Sequence, residues 1–235
     1  MFRVSGGIDP GPFLQSGRES VEDFAAVLAS LGRTYADFDH MLDFGCGCGR
    51  VLRWLVADRP THISGTDIDA PAVQWVLENM PGVDARTNEG LPPLEFADQT
   101  FDLVIGYSIF SHLDETYQDR WLSELRRVTK PGAIVLLTVQ GAFNWAYSVE
   151  HPLKAVPELE DMKAELHAKG FLFWKNTTND GHFPEFYQST WHRRTYVEAH
   201  WRAYFDVLDV REAAGRPTQD IVVLQRRDEL PRPEA

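Results

Sequence analysis

Two carboxylates and three glycines lie close together early in the chain. LDFGCGCGR at 42–50 sets Asp43 just ahead of Gly45, Gly47 and Gly49, and GTDID at 65–69 supplies Asp67. Glycines between a first strand and a first helix leave the backbone bare, so a ligand can approach it closely. An acid about 20 residues further on, at the end of a second strand, can accept hydrogen bonds from a ribose. Together the two features point to an adenosine-containing ligand.

Two departures from the dinucleotide fingerprint narrow that class. Gly45 and Gly47 fit its first two glycines, but Arg50 stands where a helix-packing glycine or alanine belongs. Asp43 also puts a carboxylate beside the loop, unfavourable next to a pyrophosphate and favourable next to an ammonium or sulfonium. S-adenosylmethionine carries both cations and has no phosphate. A nicotinamide cofactor is disfavoured on the same grounds.

The elements that must position these residues follow from periodicity. HMLDFG at 40–45 reads as a short buried strand, GRVLRWLVAD at 49–58 as a helix, THISGTDID at 61–69 as a second strand and APAVQWVLENM at 70–80 as a second helix. TFDLVIGYS at 100–108 is a strand and TYQDRWLSELRRVT at 116–129 a helix; KPG at 130–132 predicts a turn before the apolar run AIVLLTV. Strands alternating with helices predict a parallel sheet covered on both faces. Residues 1–20 read as a loose arm, followed by a helix over SVEDFAAVLASLGR, 20–33. After Gly141 come a charged helix, PELEDMKAELHAKG, and two aromatic-rich extended pieces around TTNDG, expected to form a hairpin. RRTYVEAHWRAYF predicts a helix, and FDVLDV and DIVVLQ the closing strands.

With these blocks in this order, LDFGCGCGR, GTDID, FADQTFDLVIGYSIFSHL and WLSELRRVTKPGAIVLLT, the sequence resembles the class I S-adenosylmethionine-dependent methyltransferases over residues 40–140. The resemblance implies a Rossmann-like α/β fold, a seven-stranded mostly parallel sheet whose last strand is antiparallel, with the aromatic hairpin inserted before the last two strands. It implies that Gly45 and Gly47 face the methionine part of the cofactor, that Asp67 takes the ribose hydroxyls and Ile68 packs on the adenine, and that Asn88 or Glu89 contacts the adenine edge. The chain then divides, as a single domain over 1–235, into an arm and helix (1–32), a cofactor-binding core (40–140), a substrate-side insertion (141–203) and the last two strands (205–226).

In open α/β sheets the ligand site lies beyond the carboxyl ends of the strands. YSIFSHLDE, after the fourth strand, therefore borders the transferred methyl group. Tyr107 and Ser108 are expected to touch the cofactor or shape its pocket. His112 is the one base there with an ordinary pKa near neutrality, and the reading of it as a general base competes with that of a loop histidine bonded to a carbonyl. Trp145, His182, Tyr187 and His192 are the candidate acceptor-binding residues, from the end of the fifth strand and the hairpin, against a competing reading of that region as a small aromatic core.

Composition bounds the rest. A net charge of -12, with 43% hydrophobic and 25% charged residues, disfavours a nucleic-acid or anionic-membrane partner. No apolar run has signal-peptide or membrane-spanning length, so a cytoplasmic location is expected. Cys46 and Cys48, the only cysteines, are too few for a zinc site and too close for ordinary disulfide geometry, so no metal is expected. The expected function is methyl transfer to a small molecule, with a hydroxyl favoured over an amine because of His112. A protein side chain as acceptor, or a non-catalytic cofactor-binding module that regulates a partner, are the alternatives.

Overall fold

A computed structural model describes residues 9–58, 62–150, 158–175 and 184–228. Five parallel strands run β3-β2-β1-β4-β5, with β1 His40–Phe44, β2 His62–Asp67, β3 Val83–Thr87, β4 Phe101–Gly106 and β5 Thr129–Gln140. The closing strands β8 (Asp206–Gly215) and β9 (Gln219–Gln225) complete this sheet, β9 pairing antiparallel with β5 and β8 antiparallel with β9. A hairpin of β6 (Phe171–Trp174) and β7 (Ser189–His192) pairs Phe171 with His192 and Leu172 with Trp191. It joins the sheet through a single bridge, Gln140 to Trp191, at the end of β5. The described sheet therefore has nine strands: seven in the main layer and two in the appended hairpin.

Alternation along the strands sorts the core. Met41, Ile63, Leu103, Ile105, Leu136 and Val223 face one side, under α1 (Pro10–Ser30), α2 (Leu52–Asp58) and α3 (Ala70–Asn79). Leu42, Phe44, Val104, Val135, Leu137 and Val222 face the other, under Trp121, Leu122 and Leu125 of α4 (Glu115–Val128). Successive strand side chains point to opposite faces, so a strand covered on both sides reads as one apolar run. A third, smaller core lies beside the hairpin. It gathers Trp145 of α5 (Ala142–Trp145), Leu159 and Met162 of α6 (Leu159–Lys169), Leu172 and Trp191. The last helix, α7 (Arg194–His200), adds Val197 to the second core. No helix among the described residues is long and apolar enough to cross a membrane.

Two sequence expectations need correction. The first helix starts at Pro10 rather than near residue 20, because Asp9 caps it, accepting from Gly11 N at 2.9 Å, and Pro10 suits the first turn. The predicted turn at 130–132 lies inside β5: the register against β4 shifts between Phe101 and Leu103, and Gly132 takes a φ of 78° in that irregularity. A Lys-Pro-Gly run carries turn chemistry in either setting, and its neighbour β4 decides that the chain stays in the sheet.

The early start of α1 matters because Gly17 lets the helix lie directly on the glycine-rich loop. A Cβ at Gly17 would come 2.0 Å from the Arg50 carbonyl oxygen. Gly17→Ala should therefore lower stability by about 1–3 kcal/mol through overpacking, despite the gain of about 1 kcal/mol in helix propensity. Urea denaturation checks this, and an unchanged or raised midpoint would show that α1 is not seated on the loop.

Candidate cofactor and acceptor site

The loop after β1 is tied to the end of β2. Gly45 N and Cys46 N both donate to the Thr66 carbonyl, at 2.8 and 3.0 Å, and Gly45 and Gly47 adopt φ of 81° and 53°, values that favour glycine. Gly47 N donates to Asp67 Oδ2 at 2.7 Å, and Asp69 N donates to Oδ1 at 2.8 Å. Burial raises the Asp67 pKa, and these backbone donors act against that rise. A carboxylate offers about four acceptor positions. The backbone N–H groups of Asp69, Gly47 and Ile68 draw on these, and the group still borders a cavity.

Asp43 closes the same end of β1. It is buried, its Oδ2 has no hydrogen-bond partner among the described residues, and burial lifts its pKa to about 7 against the lowering influence of Arg50. Arg50 is itself held by α1: Nη1 donates to the Ser16 carbonyl and to Ser20 Oγ, both at 2.8 Å, and the guanidinium lies 5.0 Å from the Tyr107 ring centre.

The cavity these groups border measures about 390 Å³. Asp43, Gly45, Gly47, Asp67, Ile68 and Asn88 line it from the ends of β1, β2 and β3. Tyr107, Ser108 and Ile109 after β4, Pro184, Phe186 and Tyr187 from the segment before β7, Arg216 and Thr218 between β8 and β9, and Gln219 at the start of β9 line it as well. Phe186 presses on the bare Gly90, where a Cβ would meet its ring at 2.7 Å, and Tyr187 Oη donates to the Ser108 carbonyl at 2.8 Å.

The family model described as a methyltransferase domain matches residues 41–132. Over 126 residues the chain is 30% identical to a protein of Mycolicibacterium smegmatis named "probable S-adenosylmethionine-dependent methyltransferase", covering 54% of this chain and 48% of that protein. Over 105 residues it is 28% identical to phosphoethanolamine N-methyltransferase 2 of Caenorhabditis elegans, covering 43% of this chain and 24% of that protein. The matches thus span half or less of these relatives' lengths. In structure it is similar to the PH0226 protein of Pyrococcus horikoshii, with a TM-score of 0.63, 18% identity and 91% of each chain covered. Residues 41–132 are thus similar to a methyltransferase domain, and the fold is that of the PH0226 protein.

The cofactor of these methyltransferases fits the residues present. An orphaned, buried Asp43 oxygen at the cavity suits an ammonium, and the unused acceptor positions of Asp67 suit vicinal ribose hydroxyls. Ile68, 38% exposed, offers an apolar surface to the adenine. Of the two candidates for the adenine edge, Asn88 lines the cavity, its Oδ1 accepting from Thr66 Oγ1 at 2.6 Å, whereas Glu89 is exposed and outside the lining.

The candidate acceptor-side residues separate by placement. Tyr187 borders the cavity. His112 does not: its ring stacks on Tyr187 with centroids 4.3 Å apart, and Nδ1 donates to the Gln188 carbonyl at 2.7 Å. Burial depresses its pKa to about 4, which keeps the ring neutral at physiological pH. Trp145 packs edge-on against Trp191 in the small third core, and buried His192 lies 3.0 Å from the Gln118 amide oxygen; neither lines the cavity. His182 lies outside the described residues. Sequence reasoning missed Arg216, Thr218 and Gln219, which stand alone between two strands and carry no motif.

Asp67→Ala should weaken S-adenosylmethionine binding at least about tenfold, a loss of roughly 1.5–3 kcal/mol. Asp69→Ala should cost less, because Asp69 caps α3 by accepting from Ala72 N. Titration calorimetry checks both, and a larger loss at Asp69 would contradict the assignment of Asp67. A second expectation concerns pH. Burial lifts the Asp43 pKa from 3.8 to about 7 in the folded protein, so its contribution to stability is complete below about 3.8 and lost as pH rises through about 7. Its ionised form is the one that suits an ammonium, so cofactor affinity should rise over the same interval and lose that rise in Asp43→Asn.

Proposed function

We propose that the chain transfers a methyl group from S-adenosylmethionine to a small molecule, and that the acceptor atom is a nitrogen. The observation that carries this reading is the set of groups that line the cavity from β4, from the segment before β7 and from the β8–β9 corner. Tyr107, Ser108, Ile109, Tyr187, Thr218 and Gln219 are among them, and none of these titrates near neutral pH in its ordinary state. Burial pushes the Tyr107 and Tyr187 phenols still higher.

A hydroxyl acceptor needs a base to remove its proton, whereas a neutral amine brings a free lone pair to a desolvated site. His112 was the reason to favour a hydroxyl, and its place behind Tyr187 removes that reason. Size supports a small molecule over a protein side chain. About 390 Å³ lies at the lower end of ligand cavities, and aromatic residues of 184–187 border it where a peptide groove would need to open.

When bound, S-adenosylmethionine supplies an electrophilic methyl on a sulfonium, with a neutral thioether as leaving group. The chain's own residues do the rest by holding and drying the reactants. Asp67 would hold the cofactor's ribose and Asp43 its ammonium, and alignment of the acceptor can account for much of the rate. Phe186 and Tyr187 line the cavity with aromatic surface.

Calorimetry with S-adenosylmethionine and with NAD, followed by incubation with methyl-labelled cofactor and a panel of amines and alcohols, tests the function. Binding of the first cofactor and label on an amine are expected; binding without transfer to anything in the panel would favour a regulatory module. His112→Ala should leave cofactor affinity nearly unchanged and lower turnover less than about tenfold, against the 10²–10⁴-fold typical of a lost general base. A larger loss, with disappearance of a histidine limb from the pH–rate profile, would restore His112 as the base.

A further inference from the structure

Gln219 opens β9, where its backbone pairs with Gln140 of β5 and Gly215 of β8, so the residue is fixed beyond the carboxyl end of β5. The residue lines the cavity. Nε2 donates to Ser108 Oγ, and Oε1 is buried without a hydrogen-bond partner among the described residues. A buried amide oxygen left unpaired is costly, and a native structure rarely retains one unless something else satisfies it.

Ser108 is held just as firmly. It has a φ of 60°, in the left-handed region that a residue with a side chain seldom adopts. Three elements over-determine it: its N–H donates to Thr138 Oγ1 of β5 at 2.7 Å, its carbonyl accepts from Tyr187, and its hydroxyl accepts from Gln219. Backbone strain maintained in this way concentrates at functional sites. Here it sets the Gln219 amide with its nitrogen toward Ser108 and its oxygen unspent. The position lies beside Ser108 after β4 and beside the end of β5, on the same cavity that Asp43 and Asp67 line.

Resting on the methyltransferase reading above, we propose that Gln219 Oε1 receives the N–H of a primary or secondary amine, with Ser108 as the residue that positions the amide. An N–H committed to Gln219 turns the nitrogen lone pair away from it, toward the cofactor side. The neutral amine's lone pair forms the new N–C bond as the S–C pair returns to sulfur, and the methylated nitrogen then releases its extra proton to water. A tertiary amine has no N–H to give and would leave Oε1 unsatisfied, so the site selects against it.

The test uses the full chain with methyl-labelled S-adenosylmethionine and a panel of simple primary, secondary and tertiary amines and phenols. Label on primary or secondary amines is expected. Gln219→Met, similar in shape but without the oxygen, should raise the amine KM about tenfold while leaving cofactor Kd unchanged. Gln219→Glu, which keeps an acceptor oxygen, should stay near the parent KM. Label confined to phenols or tertiary amines, or no label despite measured cofactor binding, would overturn the proposal. So would an unchanged KM in Gln219→Met, equal losses in both variants, or a loss shared with cofactor affinity, each of which marks a structural role or none. Failure of the parent to bind S-adenosylmethionine at all would instead remove the methyltransferase reading, and the proposal with it.

Discussion

A carboxyl group buried without a full set of hydrogen-bond partners costs roughly 1–3 kcal/mol, and the protein around Asp43 is arranged to bear that cost. Arg50 opposes the burial through its charge, yet it is itself nearly buried and must be held. Ser16 and Ser20 of α1 hold it, and Gly17 lets their helix come close enough to do so. The first helix of the chain is thereby coupled to the loop that the cofactor must meet. Its amphipathic face alone would dock it on the sheet; the Arg50 contacts determine where.

The sheet topology divides the cavity. Strand order reverses between β1 and β4, and the crevice opens there, as expected for this class of sheet. Acids at the ends of β1 and β2 line it, where positive charge and ribose hydroxyls are welcome. Amide, hydroxyl and aromatic groups come to it from the end of β4, the segment before β7 and the start of β9. The antiparallel return of β9 along β5 is what delivers Gln219 to the cavity, since its partner Gln140 ends β5 on the same edge.

The hairpin shows how burial redirects chemically capable side chains. His192 lies among Phe171, Tyr196 and Trp201, its Nε2 paired with Gln118, and burial pushes its pKa down to about 3. Trp191 places its indole N–H on Asn144 at 2.9 Å. These residues glue the hairpin to the sheet. The same segment nevertheless brings Phe186 and Tyr187 onto the cavity, so one short stretch supplies both a core and a wall.

Much of this was legible in the order of residues, and the physical reason is range. The apolar strands, the intervening helices and the glycine loop with Asp67 depend on contacts within one β-α-β unit, so spacing and residue type were enough to place them. The start of α1 was local too, written in Asp9 and Pro10, although the surrounding glycines concealed it. What local spacing could not decide was where the longer-range side chains finish. His112 is turned from the cavity by the Gln188 carbonyl, 76 residues away, and Gln219 meets Ser108 across 111. Such pairs exist only once β7 and β9 have docked on β5, and packing then determines which polar groups reach the cavity and which are spent inside the core.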